Sequence, residues 1–202
     1  MLPLIFHFAA GVYGKNGSDL LLPFAQQFEL ARKTGWSDDP DDPGGATIVD
    51  VTIGAYAAYR SSKGMPSPTK ADLRGITFAE WLEILKTMYW DKWRGDEIRP
   101  QGIANLLVDW VWASGPVTIR NAQRIIGVTA DGIVGPKTLA AVNKSDSGEL
   151  FARLYAERER YYRQCRGAWK YLNGWLRRLS AIRPDGSVRI YGMEIAEREG
   201  RI

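Results

Sequence analysis

Apolar side chains recur along most of this chain at the three- and four-residue steps of a helix. Over residues 19–32, Leu21, Phe24, Phe28 and Ala31 share one face and predict an amphipathic helix ending near Gly35. Asp19 can cap it by accepting an orphan backbone N–H, and Pro23 is tolerated because it falls near the first turn. Thr52 reads as the N-cap of TIGAYAAYRSS. Thr77 reads as the cap of a long helix, FAEWLEILKTMYWDKW, in which Trp81, Leu85 and Met88 keep helical spacing. Over 101–114, Ile103, Leu106, Leu107 and Trp110 face inward until Gly115-Pro116 stops the helix. Two short helices are expected over 117–126 and 136–143, then a long basic-amphipathic one over 150–169 and a last piece over 173–182.

Turn chemistry separates these segments. GKNGS breaks the chain at 14–18, and WSDDPDDPGG brings Pro40, Pro43, Gly44 and Gly45, which no stable helix interior holds. The β-branched ATIVDV that follows predicts a short strand in a small hairpin. Residues 64–68 form a loop and 143–148 a polar connection. RPDGSVRIYG predicts a small hairpin around Asp185-Gly186, and the charged MEIAEREGRI is either helical or frayed. The expected fold is mainly α with one small β element.

At 202 residues, 45% hydrophobic and 25% charged, the composition is that of a soluble globular protein with one domain or two small ones. Cys165 is the only cysteine and His7 the only histidine. An intrachain disulfide and a cysteine-rich zinc site are thereby excluded, and a Ser-His-Asp or Cys-His triad is not readily assembled from one terminal histidine. Acid–base chemistry, in an enzyme of this make-up, falls to carboxylates. MLPLIFHFAAGV is shorter than the roughly 20 apolar residues a bilayer span needs. It also lacks the basic start of a secretory signal. It reads as an apolar arm on the body or as a misassigned start, and no integral membrane segment is expected. The net charge of +4 is mild. Arg153, Arg158, Arg160, Arg163, Arg166, Lys170, Arg177 and Arg178 form a basic run, but Glu157 and Glu159 interrupt it and no nucleic-acid reading motif accompanies it. A solvated face, not a nucleic-acid partner, is the expectation.

Four features carry candidate chemistry. Asp38, Asp39, Asp41 and Asp42 cluster in a turn, yet the run does not fit a twelve-residue calcium loop and lacks its closing Glu, so no metal is called for. A glycosidic bond is cut by a carboxylic acid with a nucleophile or positioned water on the opposite face. Asp42 can supply a carboxylate beside the hairpin and Glu29 one on the first helix. The plain alternative for Glu29 is an i, i+4 ion pair with Lys33. Asp131-Gly132 lies in GVTADGIVGPKTLAAV (127–142), a loop-to-helix motif that also makes a shallow groove for sugar or peptide contacts. Trp110 falls on the apolar face of its helix, leaving Trp112 on the other face as the sugar-stacking candidate.

In order, DPDDPGGAT (39–47), VTIGAY (51–56), ILKTMYWDKW (84–93), NLLVDWVWASG (105–115) and GVTADGIVGPKTLAAVN (127–143) resemble glycoside hydrolase family 108, over residues 20–179. Its members look like N-acetylmuramidases of phages and bacteria with a C-terminal predicted peptidoglycan-binding region. The resemblance implies a lysozyme-like α+β fold with a small β-hairpin and a helical C-terminal subdomain. It implies an apolar arm (1–18), a muramidase region (19–116), a peptidoglycan-binding-like helical region (117–182) and a C-terminal extension (183–202). Peptidoglycan glycan strands become the expected partner, with no cofactor. The expected location is the cell wall or periplasm, or the cytoplasm until release, as for an endolysin.

The family motif is a helix-terminal Glu-Gly-Gly-aromatic whose Glu is taken as the general acid. Here the same place reads Lys33-Thr34-Gly35-Trp36. Gly35 and Trp36 match, and Trp36 takes a substrate-binding role by that match; the acid has become Lys33. After GGAT the family reads Asn, a variable residue, Gly, Val, Thr, where this chain has Ile48, Val49, Asp50, Val51 and Thr52. For an active enzyme the resemblance points to cleavage of the β-1,4 link between N-acetylmuramic acid and N-acetylglucosamine. Glu29 would then be a displaced acid, Asp42 the hairpin carboxylate and Thr47 a positioner of water or substrate. The other expectation is a binding or regulatory protein that has lost this chemistry.

Overall fold

The computed structural model describes Phe28, Arg32, Lys33 and residues 35–187. Phe28, Arg32 and Lys33 are helical, as the 19–32 pattern predicts. The other residues of the predicted 19–32 helix, Glu29 included, the N-terminal arm and the last fifteen residues lie outside the described residues. The chain divides into two compact units, Met1–Met88 and Tyr89–Ile202. The break expected at Pro116 falls inside the second.

In the first unit, residues 47–52 make the hairpin. Strand β1 (Thr47–Ile48) pairs antiparallel with β2 (Val51–Thr52), Thr47 opposite Thr52 and Ile48 opposite Val51. Thr52 accepts the Ala55 N–H at 3.1 Å and starts α1 (Ile53–Ser62). A helix that the pattern did not predict, α2 (Lys70–Arg74), follows. Thr69 and Asp72 form a reciprocal capping box there, and so do Thr77 and Glu80 at the start of α3 (Phe78–Ile84). Phe28 packs its ring against Phe78 and Trp81, at 5.5 and 5.8 Å between centroids, closing a core that also holds Leu73, Ile76 and Ile84.

The long helix predicted from Thr77 is not uniform. After α3 the chain passes into a π-helical segment (Leu85–Trp90), then single 3₁₀ turns at Asp91–Trp93 and Gly95–Glu97. A π turn bonds i to i+5 instead of i+4. The buried positions therefore step from Leu85 to Trp90, and Met88, expected on the core face, is only half-buried. Gly95 is required here: a Cβ would sit 2.4 Å from the Trp90 indole, whose N–H donates to Asp96 at 2.9 Å.

The second unit is built around α4 (Gln101–Ser114), buried from Gly102 through Trp112. Gly115, at φ 79°, ends it. Around it lie α5 (Val117–Ile126), α6 (Pro136–Lys144), α7 (Ser147–Gln164) and α8 (Ala168–Ser180). The last two replace the predicted 150–169 and 173–182 helices. Asp146 caps α7 three residues earlier than expected, and the chain leaves the helix at Cys165, whose ψ of 143° is extended. Asp185 and Gly186 form the expected turn, with the Arg183 N–H donating to Ser187 O at 3.1 Å. That turn lies on the start of α4, where a Cβ at Gly102 would come within 2.3 Å of the Pro184 carbonyl.

The centre of this unit is ionic. Asp109 of α4, fully buried, accepts from Arg158 of α7 on one oxygen and from Arg178 of α8 on the other, the latter at 2.7 and 2.8 Å. Arg158 is equally buried and also donates to Tyr162 and to the Leu106 carbonyl. Two arginines of the supposed solvated face thus lie against the core. Removing one partner of a buried pair strands the remaining charge. Asp109→Ala is therefore expected to cost about 3–5 kcal/mol, read as a lower urea midpoint. Replacing Asp109, Arg158 and Arg178 together by apolar residues of similar volume should recover most of that loss.

Candidate functional site

The site expected from the sequence lies where the first helix meets the Asp-rich turn and the hairpin. Ser37 and Thr47 exchange backbone hydrogen bonds at 2.9 and 2.8 Å, clamping together the two ends of the intervening loop. Inside it the carboxylates are turn-makers. Asp39 accepts from the Asp41 N–H at 3.0 Å and Asp42 from the Gly44 N–H at 2.8 Å, while Asp38 pairs with Lys70 at 2.7 Å. Gly45 takes φ 66°, and among the described residues no group of three or more His, Cys, Asp or Glu is arranged to hold a metal ion.

The hairpin turn explains one departure from the family pattern. Val49 and Asp50 have φ 44° and 60°, the consecutive left-handed pair of a type I′ turn. The family places Gly at position 50, where this backbone demands it least expensively, and Asp is among the few other residues that accept it. Val49 is a β-branched residue in the same strained region. The buried Trp81 indole holds it by donating to the Val49 carbonyl at 3.0 Å. Where the family has Asn, Ile48 is 2% exposed and serves the core.

Lys33, which the resemblance sets in the place of the motif acid, is exposed. Arg32 beside it donates to the Arg74 carbonyl at 3.3 Å, and the Arg74 guanidinium stands 4.0 Å over the Trp36 ring. Trp36, expected to bind substrate, thus has one face occupied by a cation. Asp42 is partly exposed beside the hairpin. Thr47 is buried, and its hydroxyl donates to the Gly45 carbonyl at 2.9 Å, bracing the loop. Glu29 lies outside the described residues.

A general acid needs a carboxyl whose pKa is raised. The shifted carboxyls here go the other way. Burial pushes Glu80 up, but hydrogen bonds from Thr77 and Tyr56 outweigh it and leave the pKa lowered. Hydrogen bonds from Lys63 and Tyr59 lower Glu83. In return, burial and the bond to Glu83 push the Tyr59 phenol up to about 12.

In the second unit, the 127–135 loop is internally satisfied. The Gln123 side chain donates to Asp131 and to the Ile133 carbonyl at 2.9 and 3.0 Å and accepts from the Gly132 N–H at 2.8 Å. The Ile133 N–H and Gln123 lower the Asp131 pKa, and Gly132 supplies φ 82°. Both expected substrate binders are therefore committed to loop geometry, by a glutamine that helical periodicity alone does not single out. Trp112 needs correction too. It is 8% exposed and stacked on Tyr89 at 4.7 Å, because α4 is enclosed on nearly every side and leaves no outer face for a sugar platform.

Residues 27–115 match the model of the family described as Glycosyl hydrolase 108, and residues 117–180 match that of the Predicted Peptidoglycan domain. Among solved structures, the chain is similar to Brucella abortus SagA. The TM-score is 0.66 with 29% identity, covering 79% of this chain and 91% of that one. None of the curated proteins matches the chain.

Two measurements follow from these geometries. Trp81→Phe removes the donor to the buried Val49 carbonyl and should lower stability by about 1–3 kcal/mol in urea unfolding. The Asp131 carboxyl has a depressed folded-state pKa. Its stabilising contribution is complete above the unfolded value near 3.9 and is lost as pH falls through the folded value. An Asp131→Asn variant should accordingly show a shallower loss of thermal stability on acidification than the native chain.

Proposed function

From a chain whose residues 27–115 belong to the glycosyl hydrolase 108 family and whose residues 117–180 belong to the predicted peptidoglycan domain family, we propose a peptidoglycan-binding protein in which hydrolysis is disabled at the donor seat. Its partner is the glycan strand, met at the bacterial cell wall, in the periplasm or after release from the cytoplasm. The coarse assignment, a peptidoglycan-acting member of the muramidase family, rests on those two matches and on the likeness to SagA.

Lys33 carries the finer reading. An ammonium with an ordinary pKa of about 10.4 is a poor proton donor to a glycosidic oxygen at neutral pH. It also repels the oxocarbenium-like transition state of glycoside cleavage. Lys33 is exposed to solvent. Arg32 and Arg74 add positive charge near Trp36, and no shifted carboxyl among the described residues is shifted upward. Retention of a partly exposed Asp42 favours the second reading, hydrolysis of the N-acetylmuramic acid–N-acetylglucosamine link with Glu29 as acid and Thr47 as positioner. In an ideal helix, residues four apart, as Glu29 and Lys33 are in the sequence, are displaced by about 6 Å along the axis. A misplacement of about 1 Å can already cost a hundredfold.

Release of soluble muropeptides from purified sacculi separates the readings. The native protein should bind sacculi and release nothing. Lys33→Glu, alone or with Ile48→Asn and Asp50→Gly, should gain measurable release. Release by the native protein that Glu29→Ala abolishes would overturn the proposal in favour of the second reading.

A further inference from the structure

In the second unit, α7 and α8 leave between them a groove of about 500 Å³. From α7 it is lined by Tyr155 and Glu159, one turn apart, and from α8 by Asn173, Leu176, Arg177 and Ser180. Trp169, Asn173 and Arg177 are spaced i, i+4 and i+8, so they form one stripe along α8. The stripe spans about 12 Å at 1.5 Å per residue, enough for a piece of polymer rather than a single small ion.

Its two ends are chemically distinct. Trp169 is 78% exposed, the most exposed of the large apolar side chains among the described residues. Its indole stands in water although large rings ordinarily gain by burial. The Lys170 ammonium lies 6.0 Å from that ring. At the other end Arg177 is exposed and makes no ion pair among the described residues, whereas Glu159 across the groove is already held by Arg163 at 2.6 Å. The 127–135 loop, the other candidate in this unit, spends its polar groups on itself.

We propose that the α7–α8 groove, extended along α8 to Trp169 one turn before Asn173, is the peptidoglycan-binding site of the C-terminal region, with a sugar ring stacked on Trp169 and a stem-peptide carboxylate held by Arg177. A flat aromatic face suits the apolar side of a pyranose. A guanidinium suits a carboxylate, which it can meet with two parallel N–H donors. The Asn173 amide supplies a neutral donor and acceptor of the kind that sugar hydroxyls and peptide amides use, while the Ser180 hydroxyl donates to the Arg177 carbonyl at 2.9 Å. The proposal rests on the reading that the chain engages peptidoglycan.

Cosedimentation of the full chain with purified sacculi tests it, with soluble competitors of two kinds: a peptide-bearing disaccharide and a peptide-free chitooligosaccharide. Trp169→Ala should weaken sacculus binding about tenfold and reduce competition by both ligands. Arg177→Glu should weaken it at least as much but spare competition by the peptide-free sugar. Arg160→Ala, whose side chain pairs with Glu157 outside the groove, should bind like the native chain. Circular dichroism of each variant should match the native spectrum, because the altered side chains are exposed. Native binding unchanged in both groove variants would overturn the site and leave the wall-binding reading standing. A native chain that fails to sediment with sacculi would overturn that reading, and this site with it.

Discussion

One buried carboxylate organises the C-terminal half of this protein. Asp109 sits on the most enclosed helix and takes an arginine from each of the two helices that follow, one per oxygen. Taking three charges out of water is costly, and the mutual attraction repays it only with good geometry and saturated hydrogen bonds. Arg158 meets that condition through Tyr162 and the Leu106 carbonyl. The result fixes α7 and α8 to the same point on α4. Whatever lies between those helices, the groove included, inherits its spacing from that interaction.

The N-terminal half shows a different economy. A six-residue hairpin with two non-glycine residues in left-handed conformation is strained, and the buried Trp81 indole pins it to α3. Asp39 and Asp42 shape the turn before it and Thr47 closes it, so three polar residues that look reactive in the sequence have structural duties. Among the described residues, Arg74 covers one face of Trp36, Arg32 donates to the Arg74 carbonyl and Lys33 meets solvent. On the reading proposed above, that positive charge is poorly suited to donating a proton to a sugar bridge.

Short-range signals were legible in the chain. The threonine caps at 52 and 77, the glycine stop at 115 and the proline-led start at 136 each depend on a few neighbouring residues, and each lies where the pattern places it. The capping box of α2 was also written, as Thr69 and Asp72, but five residues are too few to show a period. What could not be read depends on distant partners. Nothing local distinguishes Arg158 and Arg178 from their solvated neighbours; only Asp109, some fifty and seventy residues earlier, does so. Trp112 falls on the outer face of an amphipathic wheel, yet α4 is covered all round. The groove partners Tyr155 and Arg177 likewise share no segment.

The π segment at Leu85–Trp90 carries an evolutionary corollary. A turn of this kind equals an α-helix with one residue inserted, looped out while the flanks keep their phase. Losing a single residue there would return the segment to regular α-helical hydrogen bonding. The same deletion within α3 would shift the phase of the helical residues that follow it in α3 by about 100°. Lineages of this fold should therefore vary in length at this point more freely than at any other in the helix.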